Sequence, residues 1–91
     1  MTADEPPRSL PAMDFATFVL SLGSSAFVHL GELPSPEGDP TAKNLLLAKQ
    51  SIDILSMLQE KTRGNLDEAE DKLLTGLLYD LRIKYVDAQK D

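Results

Sequence analysis

Three stretches whose apolar residues recur at helical spacing predict an all-α, three-helix domain. Each opens on a residue able to cap a helix and closes on a glycine or a run of polar residues. The chain of 91 residues is one domain's worth. Helices are expected at about 14–30, 40–63 and 66–88, the second and third as an antiparallel hairpin. The first is so apolar that dimerisation is expected to complete its cover.

Residues 1–13, with Pro6, Pro7 and Pro11 and little to bury, read as a disordered N-terminal tail. Helix one begins at Asp14, whose carboxylate can accept from the free N–H groups of the first turn. Met13 before the cap and Phe18 within the helix are placed for a hydrophobic staple. One apolar stripe is Phe15, Phe18, Val19, Leu22 and Ala26; a second is Ala16, Leu20, Gly23, Phe27 and Leu30. The polar stripe, Thr17, Ser21, Ser24 and Ser25, is small and neutral. No aspartate, glutamate, lysine or arginine occurs between Asp14 and Leu30, so the helix is expected to be buried nearly all round. Gly31 is its left-handed terminator.

GELPSPEGDP (31–40) is a loop. Helix two is expected to take Asp39 as cap and Pro40 as its first residue, where the missing N–H costs nothing. Leu45, Ala48, Ile52 and Leu55 form its core stripe, widened by Leu47, Ile54 and Leu58. Lys49, Asp53, Ser56 and Glu60 are the wet face, and Gly64 stops the helix. Asn65 and Glu68 have the spacing of a capping box for helix three. Its acidic start suits the positive helix end. The main stripe is Leu66, Leu73, Leu74, Leu77, Leu78, Leu81 and Tyr85. Tyr79, Ile83 and Val86 align on the opposite face, and Asp80 and Lys84 are spaced for an ion pair.

Fewer than about eighty residues remain beyond the tail, a size at which a lone core is marginal. A homodimer follows as the expectation, with self-association through Phe15, Val19, Leu22, Gly23 and Ala26. The small residues at 23–25 are read as points of close helix approach. Tyr79, Arg82, Ile83 and Val86 are the expected surface for an unidentified protein partner, since tyrosine and arginine often anchor interfaces.

Composition excludes several function classes. The chain has no cysteine and a formal charge of −6. Residues 31–40 contribute −3, residues 41–63 contribute +2 and residues 64–91 contribute −3. No basic stripe is available for nucleic acid. A cytoplasmic protein without membrane insertion is expected, because the N-terminus lacks a signal pattern and the apolar run is short and broken by hydroxyls. His29 is the only histidine. A Ser25–His29–Glu32 constellation can be drawn, but nothing near it shapes an oxyanion hole. His29 is read instead as complementing the helix end. Asp67, Glu68, Glu70 and Asp71 lack the loop spacing of a calcium site and are read as helix-end charges. No catalytic, cofactor or metal residues are assigned, and no cofactor is expected. The function expected is a non-enzymatic protein–protein interaction module. The alternative is a carrier or sensor of a small apolar ligand held between helices, near Phe15, Phe18 and Phe27.

The segments DFATFVLSLGSSAFVHLGE, LAKQSIDILSMLQEKTRGNL and LLTGLLYDLRIKYV, in that order, resemble the family of small bacterial proteins known as domain of unknown function 1844. The resemblance runs from about Leu10 to Val86. It implies a bacterial origin and a compact helical domain, with no activity and no catalytic residues to carry over.

Overall fold

A computed structural model describes residues 12–34 and 43–90. They form three helices and no strand: α1 (Phe15–His29), α2 (Leu45–Lys61) and α3 (Glu68–Gln89). The tail expected at 1–13 lies outside the described residues except for Ala12 and Met13, as do Asp39, Pro40 and most of the loop before α2.

The start of α1 is the expected one. Asp14 is extended, and its Oδ1 accepts from the Thr17 N–H at 2.8 Å. The end is a Schellman turn: Gly31, at φ +82°, donates to Val28 O, and Glu32 donates to Phe27 O, both at 2.9 Å. Only glycine takes that left-handed geometry without strain.

The start of α2 departs from expectation. Asn44 is the cap, its Oδ1 accepting from the Leu47 N–H at 3.1 Å. The reason is a tertiary bond. A helix running from residue 40 would turn the Asn44 N–H back on its own chain; here it donates to His29 O at 2.7 Å. That bond ties the start of α2 to the last residue of α1, and the helix begins one residue later.

After Lys61 the chain turns through Gly64, at φ +86°. The Asn65 N–H is held by Thr62 O at 2.8 Å, so Asn65 belongs to the turn rather than capping α3. The capping box is Asp67 with Glu70: Asp67 Oδ1 accepts from the Glu70 N–H at 2.8 Å, and Glu70 Oε1 accepts from the Asp67 N–H at 3.0 Å. A carboxylate at that cap also meets the positive helix end, which an asparagine does not. Two cross-links join α2 to α3. Gln59 Nε2 donates to Thr75 Oγ1 at 3.2 Å, and Arg82 donates to Ser56 Oγ. Residue numbers therefore fall along α2 as they rise along α3.

The core takes Val19, Ala26 and Leu30 from the first segment, Ala48, Ile52 and Leu55 from α2, and Leu74, Leu78 and Leu81 from α3. Leu66, Leu73, Leu77 and Tyr85 pack against it, so the whole expected stripe of α3 turns inward. Leu47, expected to widen the α2 stripe, stays exposed beside the loop.

Helix α1 is not buried all round. Phe18 is 41% exposed and Leu20 50%. Met13, its expected staple partner, is exposed as well. Two neighbouring helices cover one side of a cylinder, and Val19, Gly23 and Ala26 occupy that side. The other side keeps Thr17, Ser21, Ser24 and Ser25 in water. Ser21 satisfies its hydroxyl by donating to Phe18 O at 2.9 Å.

Gly23 has a different reason from the one expected. A Cβ placed there would lie 2.7 Å from Leu77 Cδ2, so the glycine admits a leucine of α3 within the same chain. Gly23→Leu should therefore destabilise the fold by about 1–3 kcal/mol through overpacking. Urea unfolding measures this loss.

The N–H of Thr17, and then its side chain, hold the Asp14 carboxyl below its ordinary value of 3.8. A depressed folded-state value contributes stability above the unfolded value and loses it as pH falls through the folded one. Asp14→Ala should thus lower Tm at neutral pH, with the difference from the parent shrinking below pH 3.8. Thermal melts from pH 7 to about pH 2 would reveal the trend.

Candidate interaction surface

Helix α3 has two apolar faces. At about 100° per residue, Leu74, Leu78 and Leu81 point one way and Tyr79, Ile83 and Val86 almost the opposite way. The first set is fully enclosed. The second is open: Tyr79 is 66% exposed, Ile83 44% and Val86 51%. Space beside Gly76, one turn before Tyr79, is also empty, with no atom within 4 Å of an added Cβ. No apolar residue of the second set contributes to the core.

A groove of about 520 Å³ runs along this face. Leu78, Tyr79, Ile83 and Val86 give it apolar walls, while Gln59, Thr75, Arg82 and Asp87 supply polar groups. All four residues expected to bind a partner, Tyr79, Arg82, Ile83 and Val86, are therefore brought to one place. The bonds from Gln59 to Thr75 and from Arg82 to Ser56 tie this side of α3 to α2. Thr75 and Asp87 were not singled out from the sequence, although both flank the stripe at helical spacing. Gln59 carried no such signal, because only the packing of α2 on α3 places it there.

The expected self-association set fares differently. Val19, Gly23 and Ala26 are buried inside the protomer, and Phe15 and Leu22 are half-buried against the core. The physical reason is the hairpin itself, whose leucines occupy that side of α1. This stripe is not available to a second chain without unpacking the first.

Charges around α3 are largely solvated. Lys49 pairs with Asp53 at 2.9 Å and Lys72 with Glu68 at 3.6 Å, both in the open, where such pairs contribute little. The Asp53 carboxylate raises the Lys49 amine above its ordinary value, mainly through that hydrogen bond. The expected Asp80–Lys84 pair is not formed, and neither Asp80 nor Asp87 has an ion-pair partner among the described residues.

His29 is half-buried at the end of α1. No hydrogen bond joins it to Ser25 or Glu32 among the described residues; its carbonyl serves Asn44 instead. The described residues hold no group of three or more histidines or carboxylates placed for a metal ion. None of the helices is long and apolar enough to cross a membrane. The three phenylalanines do not share an interior: Phe15 and Phe27 pack on the core, whereas Phe18 faces outward.

Since the outer stripe is open, it contributes little to the fold of a single chain. In dilute protein, Tyr79→Gln and Val86→Gln should each change unfolding free energy by no more than about 0.5 kcal/mol. Leu78→Ala, on the opposite face, should cost about 2–5 kcal/mol in the same urea titration.

No curated protein and no solved structure matches the chain. The family described as Domain of unknown function (DUF1844) matches over residues 12–87, through all three helices, and the chain belongs to that family.

Proposed function

We propose that the chain is a non-enzymatic, cytoplasmic protein–protein interaction module that works as a homodimer. Its working surface is the outer face of α3. One observation carries the reading: Tyr79, Ile83 and Val86 stand aligned and open over a groove, with no part in the core. Singly exposed apolar residues are ordinary, but an aligned set beside charged groups is the composition of a binding face. Arg82 and Tyr79 are the side chains such faces most often use as anchors.

The test compares the parent with a Tyr79→Ala, Ile83→Ala variant as bait in extract from the native cell. Partners retained by the parent and lost by the variant support the reading. Identical sets of partners on both baits would count against this surface. The groove's apolar walls also favour a second reading, a small apolar ligand. Native mass spectrometry separates the two, because a bound lipid adds mass to the freshly purified chain.

A further inference from the structure

We propose that the occupant of α3's outer face is a second copy of this chain, with the two α3 helices parallel and in register. The inference rests on the interaction reading above and names its partner.

Spacing is the first argument. Gly76, Tyr79, Ile83 and Val86 follow one another at three, four and three residues, the repeat that keeps a seam facing a partner helix along its length. Lys72 and Lys90 occupy the next positions on either side and confine the seam to four layers. In the lettering of that repeat, Gly76 and Ile83 are a positions, and Tyr79 and Val86 are d positions. A β-branched residue such as Ile83 at a favours two parallel strands. Gly76 has empty space around it and permits close approach at the first layer.

Clearance is the second argument. The seam lies on the side of α3 away from Leu74, Leu78 and Leu81; among the described residues no α1 residue lines the groove there, and α2 borders it at one edge through Gln59. Both helices are already folded within their domains, so a short seam need not bear the cost of forming them.

Charge selects the direction. Arg82 flanks the seam on one side and Asp87 on the other, five residues apart. In a parallel, in-register pair that spacing brings Arg82 of each copy to Asp87 of the other, at both edges of the seam. Asp87 has no ion-pair partner of its own among the described residues. Arg82 uses one nitrogen on Ser56 and keeps further N–H groups. The antiparallel register that sets Tyr79 against Ile83 instead places Arg82 beside Arg82 and Asp80 beside Asp80. Like charges disfavour it.

The chain contains no cysteine, so single cysteines report cleanly. Ile83→Cys and Val86→Cys are oxidised with copper–phenanthroline, with Lys49→Cys on the wet face of α2 as the collision control. Circular dichroism establishes that each variant keeps its helices. Light scattering follows the parent's mass up to roughly 100 µM, a range that reveals micromolar self-association. The expected result is a doubled mass and rapid cross-linking at both seam positions. Arg82→Glu should weaken the dimer, and adding Asp87→Arg should restore it. A dimer that cross-links at only one seam position, or no faster there than at Lys49→Cys, overturns the parallel seam. A chain that stays monomeric overturns self-pairing. In that case the interaction reading is judged separately, by whether the Tyr79→Ala, Ile83→Ala bait loses its partners.

Discussion

Leu77 of α3 packs over the bare backbone at Gly23 of α1, where the first and third helices meet. A Cβ at residue 23 would lie 2.7 Å from Leu77 Cδ2, so the leucine would have to shift to admit one. That approach closes the side of α1 carrying Val19 and Ala26, and both are fully buried. Leu74, Leu78 and Leu81 join the same core, so α3 has one face wholly committed to its own chain. What α3 carries on its other face is then left to water or to another molecule.

The ends of the helices follow from local bonding, with one tertiary exception. Asp14, Asn44 and Asp67 each accept from an N–H three residues on, and each occupies the extended backbone that a cap requires. Gly31 and Gly64 take the left-handed turn that reverses the chain. The exception is the Asn44 N–H, which serves His29 across the α1–α2 junction. That hydrogen bond, between residues fifteen positions apart, ties the start of α2 to the end of α1.

Three helices can enclose one stripe on each, and the remaining apolar residues are divided by position. Phe18 and Leu20 on α1 point in different directions, and Leu46 and Leu47 lie in the first turn of α2. Among the described residues, Tyr79, Ile83 and Val86 combine alignment, a groove and flanking charge of both signs.

Much of this was legible in the residues. Helical spacing, the Asp14 cap and the two glycine stops followed from the chain alone, because each depends on neighbours within a few positions. The two-sided character of α3 was legible too, since 3.6-residue periodicity places Tyr79, Ile83 and Val86 opposite the leucines in any helix. Periodicity could not say which side of α1 would be used, because apolar residues lie on more than one of its faces. Nor could it distinguish a glycine that admits Leu77 from one that admits a second chain. Those choices depend on residues dozens of positions away, and only tertiary packing brings such residues together.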